Sequence, residues 1–202
     1  AGYCVFNDLA VIARRALRTG FARRVLVLDL DVHQGDGTAT ILASEPRATT
    51  ISVHCRANFP FRKARSNVDI PLPPGVGDFA YLRLLAAKLD DWLDRYAPDL
   101  VLHQAGVDAL AEDALGRLAL SRRGLRARNA RVLDAVWVRR RIPMVVTMGG
   151  GYGRPIEASV PCLADVFDQA ARVLAATPPA PRSTFGMRTP TPLPQPGPAL
   201  PG

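Results

Sequence analysis

Residues 25–37 read VLVLDLDVHQGDG, and the fold turns on how this stretch divides. Its first four residues are aliphatic, with no polar residue to mark a side that faces water. A strand covered on both faces has that composition, whereas a half-exposed strand alternates. Residues 25–30 therefore predict a buried parallel strand. Beyond it Asp29, Asp31 and His33 fall on alternate positions, and alternate side chains of an extended segment share a face. Two carboxylates and an imidazole aimed into one crevice repel, or bury charge at high cost, unless a cation joins them. The chain then turns through Gly35 and Gly37 with Asp36 between them. The residues point to a metal site at the carboxyl end of a strand, where open α/β sheets place their ligands. A structural turn capped by aspartates is the alternative.

Three further apolar runs, at 49–53, 100–102 with its flanks and 144–147, predict strands of the same kind. Helical spacing of apolar residues occupies 9–17, 79–96, 125–138 and 156–174. Strands and helices thus alternate, which implies an α/β fold: three layers, a doubly wound and mainly parallel sheet with helices on both faces. Pro98 and Pro143 sit between a helix and the next strand, where a residue without an N–H does least harm. The stretch DLVLHQAGVD ends on Asp108, which becomes a candidate third ligand beside the first cluster. PMVVTMGGGYG runs through three consecutive glycines, which permit close backbone approach, before Tyr152.

Composition narrows the function classes. The chain has 202 residues, 48% of them hydrophobic and a net charge of +8, enough for one core-bearing domain. The positive charge is almost all arginine. Arginines 122, 123, 126, 128, 131 and 139–141 lie in a helical stretch and read as a solvated helix face. With aromatics at 6% and no recognisable module, direct nucleic-acid binding is not expected. Cys4, Cys55 and Cys162 are far apart and read as buried small hydrophobes. No run of eighteen apolar residues and no basic-then-apolar leader appear, so a cytoplasmic protein with no membrane contact is expected. The proline-crowded residues 177–202 predict a disordered tail. An aspartyl-phosphate phosphatase, suggested by DLD after a strand, also wants a lysine at a later strand end. The only lysines, Lys63 and Lys88, lie in a loop and a helical stretch.

Taken in order, GYCVFND at 2–8, DLDVHQGDG at 29–37, SVHCRANFP at 52–60, AGVDAL at 105–110 and GGGY at 149–152 resemble the motif series of zinc-dependent histone deacetylases. LGRLALSRRGL at 115–125 and Gln34, where many relatives have a second histidine, are most similar to the class IV branch and its bacterial relatives. The resemblance implies an arginase/deacetylase-like fold in which residues 1–176 form a partial domain. It places the zinc ligands on Asp31, His33 and Asp108, with iron(II) a tolerable substitute, and the transition-state tyrosine on Tyr152. Gly2, Tyr3, Phe59 and Gly150 would line the acyl tunnel. Asp29, Asp31, His33, Ser52 and Val53 would hold a monovalent cation such as potassium. Asp29 and Asp36 would orient a tandem histidine pair that the pattern places shortly before GYCVFND. This chain holds no such pair, so it is expected to open inside the domain and to turn over poorly. The implied substrate is an acylated lysine of a protein or peptide, or an acylated small amine. A catalytically dead metal-binding module is the alternative.

Overall fold

The computed structural model describes residues 4–177. Five strands form one sheet: β1 (Val25–Asp29), β2 (Ala48–Cys55), β3 (Val68–Leu72), β4 (Leu100–Gln104) and β5 (Met144–Thr147). Their spatial order is β3-β2-β1-β4-β5 and every pairing is parallel. The order runs one way from β1 to β3 and the other way from β1 through β4 to β5. A crevice therefore opens at the carboxyl ends of β1 and β4, the switch point of a doubly wound sheet.

Strand β1 is buried at all five positions because both its faces are covered. Val25 and Val27 pack with Leu9, Ala13 and Leu17 of α1 (Asp8–Thr19). Leu26 and Leu28 face the other way, into a core with Tyr81, Leu85 and Leu89 of α3 (Asp78–Tyr96) and Leu125 and Val132 of α4 (Arg122–Leu133). Helix α5 (Val160–Ala176) joins that second layer through Cys162 and Val166. The starts of α1 and α4 are fixed by side-chain caps: Asn7 accepts from the Ala10 N–H at 2.8 Å, and Ser121 from the Gly124 N–H at 3.0 Å.

The structure departs from expectation in several places. Strand β3 was not predicted. It is half-buried, contains Pro71 and occupies an edge, where proline is tolerated and the apolar signal is weak. Helix α2 (Asp36–Leu42) stands where a turn was expected. Its sequence, DGTATIL, is short and rich in weak helix formers, and burial of Thr38, Ala39 and Leu42 holds it. The predicted helix at 125–138 divides into α4 and a π-helical turn, Asp134–Val138. That at 156–174 divides into a 3-10 turn, Ile156–Ala158, and α5.

The arginine-rich face is only partly solvated. Arg122 and Arg126 pair with Asp165, and Arg139 and Arg140 with Asp90 and Asp94, across helices. Arg128 is 0% exposed, which corrects the solvated reading at that position. Its side chain finds carbonyl acceptors at the strand ends instead of water. Cys55 and Cys162 are buried as expected, but Cys4 is exposed, beside the cleft rather than under a layer. Residues 178–202, and with them nearly all of the expected tail, lie outside the described residues. Among the described residues no helix is long and apolar enough to cross a membrane.

Candidate metal centre

Asp31 and His33 follow β1 and Asp108 follows β4, so neighbouring strands deliver all three to one end of the sheet. One donor atom from each lies within 4.8 Å of the others. The His33 Nδ1 atom is 3.2 Å from Asp31 Oδ1 and 3.0 Å from Asp108 Oδ2. The remaining carboxylate oxygens are occupied from behind. Asp31 Oδ2 accepts from the Gln104 amide and from the Gly150 N–H, both at 2.9 Å. Asp108 Oδ1 accepts from the Val32 N–H at 2.8 Å. The three donors are thereby aimed at one another.

The charge of the cluster is unbalanced. Asp29, Asp31 and Asp108 are all buried, and one imidazole faces them. Burial and the adjacent Asp31 charge push Asp108 up to about 8. Burial, then Asp31, also raises Asp29 well above the carboxylate range. Burial opposes ionisation of Asp31 too, but hydrogen bonds with His33, Asp108 and Gln104 outweigh it and hold this group below its ordinary value. His33 rises to about 10 despite burial, because both carboxylates accept from it. Without a cation the site retains protons in place of the missing positive charge. Asp31, His33 and Asp108 could hold a divalent ion, which would supply that charge. Two carboxylates and an imidazole are a donor set that suits zinc or iron(II).

Two glycines set how closely the walls approach. A Cβ on Gly106 would overlap Asp31 Oδ2, and one on Gly150 would overlap Asp108 Oδ2. Any side chain at either position would displace a candidate ligand. The donors lie at the floor of a cleft of about 800 Å³, within the size range of small-molecule sites. Phe59, Leu115, Met148 and Tyr152 are among its walls.

A profile of the histone deacetylase domain matches residues 1–166. The chain belongs to the histone deacetylase family. It is 45% identical over 156 residues to an uncharacterized protein of Picosynechococcus, a match spanning 77% of this chain and 52% of that one. It is 34% identical over 187 residues to the histone deacetylase-like amidohydrolase of Pseudomonas aeruginosa, covering 87% of this chain and 48% of that protein. With histone deacetylase 2 of Arabidopsis thaliana it shares 30% identity over 174 residues, 85% of this chain and 44% of the other. The chain thus spans about half the length of the curated relatives it matches. The solved structure of the histone deacetylase Clr3 superposes with a TM-score of 0.68 over 92% of this chain and 33% of Clr3, at 22% identity. That likeness bears on the fold.

Within this family member the other expected site residues are distributed as follows. Tyr152 is 39% exposed at the cleft, and its N–H donates to Asp113 Oδ2 at 2.6 Å. Phe59 and Gly150 line the cleft, and Asp36 reaches it from the start of α2. Gly2 and Tyr3 lie outside the described residues. Ser52 stands opposite Asp29 in the β1–β2 register and its Oγ is 3.0 Å from His54 Nδ1. Val53 is buried beside it. His54 and His103 are buried on strands away from the cleft. Burial lowers His54, while burial and then the Arg128 charge push His103 down to about 3.

Three supporting residues escaped the sequence reading, and a fourth, Gln34, entered it only as a mark of the family branch. Gln104 holds Asp31. Asp113 anchors Tyr152 and the turn at Leu115 and Gly116. Asn58 contacts His33 Nε2 at 3.2 Å, with its amide fixed by Leu115 and Arg117 backbone groups. Gln34 ties the turn after His33 to Ala64 and to Asp69 of β3. Uncharged amides have no distinctive spacing, and only Asp113 carried even a generic turn signal.

Proposed function

We propose that this chain carries the metal centre of a zinc-dependent amide hydrolase that removes acetyl or longer acyl groups from lysine side chains or from acylated small amines. The observation that carries this reading is the convergence of Asp31, His33 Nδ1 and Asp108 at the floor of the cleft, in a family whose members are named deacetylases. Zinc is the ion assigned, with iron(II) a tolerated substitute. When bound, such an ion supplies Lewis acidity toward an acyl oxygen and lowers the pKa of water toward about 7. Tyr152 is assigned to donate a hydrogen bond to the acyl oxygen as charge develops there. Phe59 and Gly150, with Gly2 and Tyr3, are assigned to wall the acyl group. Potassium is assigned to Asp29, Asp31, His33, Ser52 and Val53. Asp29 and Asp36 are assigned to orient proton-transferring histidines.

Those histidines are not among the 202 residues. The chain has three, His33, His54 and His103; the first faces the two carboxylates and the others are buried outside the cleft. This favours, as a second reading, a chain that binds metal and turns substrate over weakly. Elemental analysis of the purified protein tests the metal assignment. One zinc per chain is expected, lost in Asp31→Ala, His33→Ala and Asp108→Ala. Equal metal in Asp108→Ala and the parent removes Asp108 from the site.

A further inference from the structure

Arg128 is the largest side chain with essentially no exposure, and its partners are unusual for a buried cation. Its guanidinium offers five N–H groups, and five contacts meet them. The Nη1 donates to the Leu30 carbonyl at 3.1 Å and the Gly106 carbonyl at 2.8 Å. The Nη2 donates to the Ala105 carbonyl at 3.4 Å and to Asn129 Oδ1 at 3.0 Å, and Nε to the same oxygen at 3.1 Å. All these acceptors are neutral. Among the described residues no carboxylate comes within the 4.0 Å of an ion pair.

A buried charge without a counter-charge is costly, so a chain that keeps one gains something by its placement. Leu30 is the residue before Asp31, and Ala105 and Gly106 lead into Asp108. One planar fork thus spans the two strand ends from which the candidate ligands issue. It ties the two ends to each other from α4. Two of the three buried acids, Asp31 and Asp108, follow directly from the segments it holds.

We propose that Arg128 is a positioning residue of the metal centre: from helix α4 it clamps the ends of β1 and β4 so that Asp31 and Asp108 meet one ion. This rests on the metal reading given above. Lysine in its place keeps the charge but loses the planar fork, so it cannot hold carbonyls of both strands in the same geometry. Asn129 braces the clamp by accepting two of the five contacts. Arg122 is a control on the same helix, because its side chain binds Asp165 of α5 and not the strand ends.

The test measures zinc affinity by competition with a chromophoric chelator, together with the visible spectrum of the cobalt(II)-substituted protein and circular dichroism. Parent, Arg128→Lys, Asn129→Ala and Arg122→Ala are compared. Expected is a folded Arg128→Lys with zinc affinity reduced about 10- to 100-fold, the range for loss of a group that supports metal ligands, and with altered cobalt bands. Asn129→Ala should show a loss smaller than that of Arg128→Lys, and Arg122→Ala parental affinity and spectrum. Parental affinity and bands in a folded Arg128→Lys overturn the proposal. If that variant does not fold, parental affinity in Asn129→Ala overturns it. Equal losses in Arg122→Ala and Arg128→Lys also overturn it, because the effect is then one of helix packing. A parent that binds no zinc defeats the metal reading itself, and this proposal with it.

Discussion

At the scale of single residues, Tyr152 and the three candidate ligands should fail in different ways. The Tyr152 side chain is partly exposed and its backbone, not its phenol, is what Asp113 anchors. Tyr152→Phe should therefore leave metal content unchanged. In a protein that turns over an acyl-lysine peptide it should lower kcat and kcat/KM together, by the roughly 3 kcal/mol typical of one lost oxyanion donor. An unchanged kcat would remove the assigned role. The ligands carry a pH signature instead. His33 rises from 6.5 to about 10 and Asp108 from 3.8 to about 8, so the metal-free fold keeps protons that the unfolded chain has released at pH 7. The folded state then binds more protons than the unfolded one, and its stability falls as pH rises from about 7 toward 10. Zinc, if these residues hold it, would displace those protons and should remove most of the slope. Melting temperatures measured with chelator and with zinc should diverge across that window. A metal-free Tm that rises with pH there contradicts the assignment.

At the scale of elements, the covered strands dictate where damage is greatest. Helix α3 buries Tyr81, Leu85, Leu89 and Trp92 against the sheet, and Leu85 is 0% exposed. Leu85→Ala should cost about 2–5 kcal/mol of stability through lost transfer energy and a residual cavity, read from denaturant midpoints with an unchanged slope. A cost below about 1 kcal/mol would mean that the layer collapses onto the gap more readily than close packing allows. The ion pairs that tie the turn after Val138 to α3, Arg139 and Arg140 with Asp90, are far more exposed and contribute less each.

At the scale of the molecule, the proposed function predicts that metal binding and turnover separate. Three candidate donors converge in the cleft, whereas among the described residues no imidazole beyond His33 lines it. An amide leaving group needs a proton, and positioned acid–base catalysis contributes about 10²- to 10⁴-fold. The zinc-loaded 202-residue protein should thus deacylate an acyl-lysine peptide at least about 100-fold more slowly than the full-length Pseudomonas aeruginosa relative. Comparable turnover would show that the acid and base lie within this chain. The sequence by itself determined the alternation of strands and helices, the placing of Asp29, Asp31 and His33 at a strand end, and the family, because apolar runs and motif order are local properties of the chain. It did not determine β3 or α2, whose short sequences have weak propensity and are held by an edge pairing and by burial. Nor could it separate Arg128 from the solvated arginines around it, or select Gln104 and Asn58 from other amides. Those roles depend on which carbonyls and carboxylates lie opposite, a distance of 98 residues along the chain between Arg128 and Leu30, and only the folded sheet brings them together.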